Sequence, residues 1–304
     1  MRATTRQLEY LCTLAETLNF RRAAEQSHIS QPALSKQIQE LEALLGATLF
    51  ERNKRRVLLT PLGKQIVDRA HIVLRGLDDI NAIAQSKSAP LSTTLKLGVI
   101  PTIAPYLLPQ WMPTFSASYP DCELFLIEDQ TNHLLKRLAD GEIDLLILAL
   151  EVELGSVETL PLFKDEFSFV VPQTHPLAKR RSVPIASIAN EPILLLEEGH
   201  CLRDQALDVC RIANAKEVAD FRASSLNTLI QMVAHGGGVT LLPEMAIQSE
   251  MQRAHALVPL PFFRPSPFRT IGLVWRPSSP RKEEFMLIAD IITQAVSPQT
   301  LHKR

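Results

Sequence analysis

The chain has 304 residues, 46% of them apolar and 21% charged, with a formal net charge of −1. That length and balance fit about two packed domains and exclude extended disorder. No stretch of roughly 18 residues is uniformly apolar, and Glu9 and Glu16 interrupt any charged-then-apolar leader, so the sequence reads as cytoplasmic with no membrane partner.

Charge is unevenly placed. Residues 1–90 hold 13 Lys/Arg against 9 Asp/Glu, and residues 91–304 hold the other 19 against 24. A basic N-terminal section on a near-neutral chain points to a polyanion partner for that section alone. Four cysteines are too few for a disulfide scaffold, and in a reducing compartment paired cysteines are more often redox-active or metal-binding.

Leu8, Leu11, Leu14, Ala15 and Leu18 recur at helical spacing, predicting a helix over 4–18. A short helix follows from Phe20 to Gln26 with Asn19 as N-cap. Ser27-His28-Ile29 then breaks the pattern. Ser30 caps a third helix, which has Pro32 in its first turn and buries Ala33, Leu34, Ile38 and Leu41. This is a helix-turn-helix. Its second helix turns Gln31, Ser35, Lys36 and Gln39 outward, residue types that suit base edges and phosphates. Arg21 and Pro32 complete that candidate DNA-facing set. The basic turn Arg52-Asn53-Lys54-Arg55-Arg56 between Leu49-Phe50 and Val57-Leu58-Leu59 predicts a two-stranded wing gripping the DNA backbone. A solvated charge run would account for the basic residues alone; their position after a helix-turn-helix favours the wing.

The blocks Asn19-Phe20-Arg21-Arg22-Ala23-Ala24-Glu25, Ser30-Gln31-Pro32-Ala33-Leu34-Ser35-Lys36-Gln37-Ile38, Leu41-Glu42-Ala43-Leu44-Leu45-Gly46, Leu49-Phe50-Glu51-Arg52 and Leu59-Thr60-Pro61-Leu62-Gly63 stand in register. Together they resemble the DNA-binding signature of LysR-type transcriptional regulators. The resemblance implies an N-terminal winged helix-turn-helix, promoter DNA as partner, a homodimer, commonly a homotetramer on DNA, and contact with RNA polymerase.

From about Pro61 to Gln85 apolar residues recur every three or four positions, predicting one helix of some 24 residues, roughly 36 Å long. Its apolar stripe needs a partner: either the C-terminal domain of its own chain or a second copy. Gln85-Ser86-Lys87-Ser88-Ala89-Pro90-Leu91-Ser92 reads as a hinge. The expected organisation is therefore 1–60 DNA-binding, 61–91 linker and hinge, and 92–304 regulatory.

Strands are expected at 95–100, 123–128 and 143–149, with helices at 106–119 and 131–139 between them, an α/β alternation that argues for a parallel sheet. Phe167-Ser168-Phe169-Val170-Val171, Ile193-Leu194-Leu195-Leu196 and Val239-Thr240-Leu241-Leu242-Pro243 form a second unit. Ile271-Gly272-Leu273-Val274-Trp275 returns to the first, followed by a helix over 280–296. The family resemblance implies two Rossmann-like subdomains like those of periplasmic binding proteins, the first about 92–165 plus 270–304 and the second about 166–269. Such a pair encloses a cleft with helix N-termini at its edge. His235-Gly236-Gly237-Gly238 lacks the Lys-Ser/Thr of a phosphate loop and is better explained as a helix end and turn.

Cys12 and Cys122 fall where core residues are expected. Cys201 follows Gly199-His200 and begins a helical stretch, where a helix dipole, His200 and Arg203 would favour the reactive thiolate. Cys210 lies nine residues on; the spacing is not that of a metal site, and no cofactor is implied. If 201–210 is helical, nine steps of about 100° put the two cysteines on opposite faces, roughly 13 Å apart along the axis. A disulfide needs Cα atoms within about 7 Å, so a bridge requires unwinding.

Gly199-His200-Cys201-Leu202-Arg203-Asp204-Gln205 with Cys210, Gly98-Val99-Ile100-Pro101-Thr102-Ile103-Ala104-Pro105-Tyr106-Leu107-Leu108-Pro109 and Thr270-Ile271-Gly272-Leu273-Val274 resemble the OxyR branch of the LysR family, hydrogen-peroxide-sensing activators. That resemblance implies Cys201 as the peroxidatic cysteine and Cys210 as the resolving one. It also implies a peroxide pocket of Thr102, Thr131, His200, Arg203 and Asp204, and glutaredoxin or thioredoxin as reductant. Two other readings stay open: a metabolite-responsive LysR-type regulator with incidental cysteines, and a thiol peroxidase, against which the DNA-binding signature argues.

Overall fold

The computed structural model describes residues 2–52, 56–86, 90–189, 191–213, 216–254 and 256–296. Two compact units divide at Lys87–Ser88, and each is described by itself.

In the first unit, helices α1 (Thr5–Thr17), α2 (Phe20–Gln26) and α3 (Gln31–Leu45) close on a core of Leu11, Leu14, Ala23, Leu34, Ile38 and Leu41. Each start is capped as its sequence dictates. Thr4 and Gln7 form a capping box, Asn19 accepts from the Arg21 and Arg22 amides, and Ser30 accepts from Ala33. Strands β1 (Phe50–Arg52) and β2 (Val57–Leu59) pair antiparallel as the wing. Lys54 and Arg55, expected at its tip, lie outside the described residues, as does the side chain of Arg52; Arg56 is exposed.

The Leu59–Gly63 motif has a mechanical reason. The Thr60 N–H donates to the Leu49 carbonyl at 2.9 Å, and Thr60 Oγ1 accepts from the Gly63 N–H at 2.9 Å, starting α4 (Pro61–Ser86). A Cβ at Gly63 would collide with the Leu49 carbonyl oxygen. The 26 residues of α4 span about 39 Å. Val67 and Ala70 bury against the core of this unit, while Val73, Leu77 and Ile80 stay exposed in a stripe. Of the hinge expected beyond it, residues 87–89 lie outside the described residues.

In the second unit, β3 (Leu95–Val99), β4 (Leu124–Glu128) and β5 (Leu145–Ala149) are parallel, linked by α5 (Ala104–Ser118) and α6 (Thr131–Ala139). The next strand, β6, runs unbroken from Glu158 to Pro172. A separate strand beginning at Phe167 was expected; instead one longer strand serves both lobes. Its first half pairs with β11 (Phe268–Trp275), which in turn pairs with β5. Its second half pairs with β9 (Thr240–Pro243) and β10 (Leu257–Pro261). The second lobe adds β7 (Pro192–Leu196) parallel to β8 (Lys216–Ala223), and a bridge from Ile193 to Val239 joins β7 to the start of β9. Helices α7 (Cys201–Ala213), α8 (Leu226–Ala234) and α9 (Glu244–Arg253) pack on it, and α10 (Lys282–Val296) returns to the first lobe. The strand β8, with its polar alternation, and β10, with two prolines, gave no strand signal in the sequence.

Each lobe has its own apolar core, one around Trp111, Phe115 and Phe285, the other around Phe169, Ile193 and Ile230.

Candidate redox site

Helix α7 begins at Cys201 because Gly199, at φ +97°, turns the chain into it. The N-termini of α6 and α7 face each other across the seam between the lobes. The narrow pocket between them is lined by Ile100, Pro101, Thr102, Gln130, Thr131, Gly199, His200 and Cys201. Thr102, Thr131 and His200 are thus brought around Cys201, all four buried.

Burial raises the Cys201 pKa above the ordinary thiol value and prevails over everything that opposes it. Opposing it are the charge of Arg269, a hydrogen bond with Thr131 and the Leu202 amide; Asp204 adds to the rise. The buried Thr131 hydroxyl has no geometric hydrogen-bond partner among the described residues and lies close enough to the thiol to favour its ionised form. His200 is held below the usual histidine value by burial, partly offset by Glu197 4.0 Å away, so burial favours its neutral form. Burial thus works against the thiolate that His200 and Arg203 were expected to favour.

Arg203 is corrected on geometry. Two residues beyond Cys201 is about 200° around the helix, so its side chain leaves the pocket. Its Nη2 donates to both oxygens of Glu217 at 2.8 Å. Cys210 stands seven positions beyond Arg203, which puts them on one face, and burial, with Glu217 adding to it, lifts Cys210 to about 11. Asp204 is exposed and lines nothing in the pocket, acting on the thiol only through its charge.

The cation that sequence reasoning missed is Arg269. It is fully buried, pairs with Asp165 at 3.0 Å, and donates to Thr102 Oγ1 at 3.1 Å and to the Thr102 carbonyl at 3.0 Å. Asp165 and Arg269 are register partners on β6 and β11, and the other Asp165 oxygen accepts from the Met245 N–H at 3.0 Å. A signal was present. Arg269 shares its strand face with Ile271 and Leu273, and an arginine on the buried face of a strand needs a partner and a purpose.

Cys201 and Cys210 are not together. All four cysteines are free, and α7 spans the whole interval between these two. No group of residues able to hold a metal ion occurs among the described residues.

On the head, Arg21, Gln31, Pro32, Lys36 and Gln39 are exposed and Ser35 half-buried. Arg21 pairs with Glu25 at 3.0 Å and Lys36 with Glu40 at 3.8 Å. No helix among the described residues is long and apolar enough to cross a membrane.

A winged helix-turn-helix followed by a two-lobed domain with a pocket at its seam defines a signal-responsive transcriptional regulator. Residues 5–64 match the bacterial regulatory helix-turn-helix protein of the lysR family, and residues 88–297 match the LysR substrate binding domain. The chain is 46% identical to the DNA-binding transcriptional dual regulator OxyR of Escherichia coli strain K12, covering 94% of each. Its fold is similar to a full-length cysteine-to-aspartate variant of OxyR from Pseudomonas aeruginosa, with TM-score 0.80, 39% identity and coverage of 96% of this chain and 95% of that one. A hydrogen-peroxide-bound cysteine-to-serine variant of Corynebacterium glutamicum OxyR matches with TM-score 0.68 and 38% identity, covering 97% and 93%. The chain belongs to the LysR family of transcriptional regulators, in its OxyR branch.

Proposed function

We propose that the protein is a transcriptional regulator that senses hydrogen peroxide through Cys201 and activates antioxidant genes. The single observation that carries this reading is the placement of Cys201. Its thiol lies in a small polar pocket at two helix N-termini, and Cys210 lies on the same helix in the other lobe's core. The pocket walls close tightly on one another around the thiol, leaving no room for a bulky metabolite unless the lobes part.

In the proposed chemistry, the Cys201 proton is lost and the thiolate sulfur attacks one peroxide oxygen. The O–O bond breaks, hydroxide leaves and takes up a proton, and Cys201 becomes a sulfenic acid. The Cys210 sulfur then attacks the Cys201 sulfur, water departs, and a disulfide remains. Arg269 and Thr131 support the thiolate; Thr102, held by Arg269, and His200 are placed to hydrogen-bond the peroxide. Closing the disulfide requires α7 to unwind, since helical geometry holds its cysteines roughly 13 Å apart. The refolded lobe alters how regulatory domains pair, and with it the spacing of the DNA-reading heads.

We assign 1–60 to DNA binding, 61–91 to linker and pairing through the exposed stripe of α4, and 92–304 to sensing. The lobes are about 92–165 with 270–304, and about 166–269. Promoter DNA, a second copy in a homodimer or homotetramer, RNA polymerase, and glutaredoxin or thioredoxin are the partners this function requires.

Mass spectrometry of peroxide-treated protein tests it. Wild type should lose two hydrogens and yield a Cys201–Cys210 peptide, Cys210→Ser should gain one oxygen at Cys201, and Cys201→Ser should not respond in promoter footprinting. A Cys201→Ser protein with a full peroxide response would overturn the assignment.

A further inference from the structure

The pocket residues are not equally enclosed. Thr102, Thr131, His200 and Cys201 are each at most 6% exposed, whereas Pro101 and Gln130 are half-buried and Gly199 exposed. The pocket therefore opens along these last three, and Gln130 and Gly199 face each other there across the seam of the lobes. Gln130 is the N-cap of α6, yet its side chain makes no capping bond, and its amide makes no hydrogen bond among the described residues. It instead lies flat against the opposite lobe. A Cβ built on Gly199 would collide with Gln130 Oε1 and stand 2.8 Å from its Cδ. The amide is packed over Gly199 and so spans the opening where the two lobes approach each other.

We propose that Gln130 is a specificity-determining residue that narrows the pocket mouth to admit hydrogen peroxide and exclude alkyl hydroperoxides. This rests on the reading of Cys201 as the peroxide-reactive thiol. Both oxidants would react alike: the thiolate sulfur takes the terminal oxygen, the O–O bond breaks, and hydroxide or alkoxide leaves and is protonated. Sulfur is oxidised and the peroxide reduced in each case. Only the alkyl group on the leaving oxygen distinguishes them, and it needs room at the mouth. Because Gln130 acts by bulk, a side chain of similar volume should serve as well.

The test is the rate of Cys201 oxidation in the reduced full-length protein, with hydrogen peroxide and with tert-butyl hydroperoxide, in wild type, Gln130→Ala and Gln130→Met. Expected is a rise of about tenfold or more with tert-butyl hydroperoxide in Gln130→Ala, and a hydrogen peroxide rate within about threefold of wild type. Gln130→Met should keep the wild-type ratio. An unchanged ratio in Gln130→Ala, with hydrogen peroxide still reacting, would overturn the gate and leave the sensor reading intact. A Gln130→Met protein that behaves like Gln130→Ala would show that the amide, not its bulk, matters, and would also overturn it. If wild-type Cys201 is oxidised by neither reagent, the sensor reading falls and the gate with it.

Discussion

Cys201 and Cys210 stand on one unbroken helix, yet Cys201 packs into the core of the first lobe and Cys210 into the core of the second. Joining them would withdraw a side chain from at least one core and dissolve the helix between them. Amide hydrogen exchange over 201–213 should therefore accelerate on peroxide treatment of wild type and stay slow in Cys210→Ser. Equal protection before and after oxidation would contradict the unwinding.

The thiols give the fold a defined alkaline limit. Burial is the chief cause of a raised pKa at all four: Cys12 to about 12, Cys210 to about 11, and Cys201 and Cys122 upward. A raised acid keeps its proton longer in the fold than in the unfolded chain. Its contribution to stability is complete below the unfolded value of about 8.5 and drains away as pH climbs from there through the folded value. The melting temperature should fall between about pH 8.5 and 11, less steeply in Cys12→Ala. Over the same interval the rate of Cys201 oxidation should rise, because the thiolate fraction grows.

Arg269 and Asp165 form a fully buried charge pair, so removing one member strands the other. Arg269→Met should cost about 3–5 kcal/mol in denaturant unfolding, and Arg269→Met with Asp165→Asn markedly less. The double variant should still oxidise Cys201 slowly, since the charge opposing the raised pKa is gone. Additive losses across the cycle would argue against direct pairing.

The chain enters its second unit through a buried latch. The Leu91 N–H donates to Glu284 Oε1 on α10 at 2.9 Å, and Arg281 holds the same carboxylate and the Thr94 carbonyl, the latter at 2.8 Å. Glu284→Ala should lower stability by about 1–3 kcal/mol, read from urea unfolding. A change within error would mean that solvent replaces the latch.

On the head, Lys36→Ala should weaken binding to all DNA sequences and lower the salt slope by about one. Gln31→Ala should cost about 1–3 kcal/mol at its cognate base alone. Indistinguishable selectivity in the Gln31 variant would remove that residue from base reading.

Local rules made the head legible. Asn19, Ser30 and Pro32 cap or start helices through contacts within three residues, and Phe20–Gln26 forms as its pattern dictates. The same holds for Thr131–Ala139 and for the helix carrying both cysteines. What escaped depends on contacts far along the chain. Arg269 reaches Thr102 across 167 positions, and no local pattern gives that pairing. Arg203 stood beside Cys201 in sequence and drew the role that Arg269 holds, because adjacency in a helix is not proximity of side chains. The continuity of β6 was hidden because its polar first half, Glu158–Glu166, alternates weakly and pairs only with a strand a hundred residues later.

The Arg269–Asp165 pair lies where β6 passes from one lobe's sheet to the other's, so the cation serving the thiol is fixed to the joint itself. Sensitivity and shape are then two sides of one linkage. If oxidation favours one set of lobe positions, any partner that prefers those positions speeds oxidation, and any that opposes them slows it. A promoter that grips the reduced arrangement tightly would raise the peroxide level at which its own regulator responds, giving each binding site a threshold of its own.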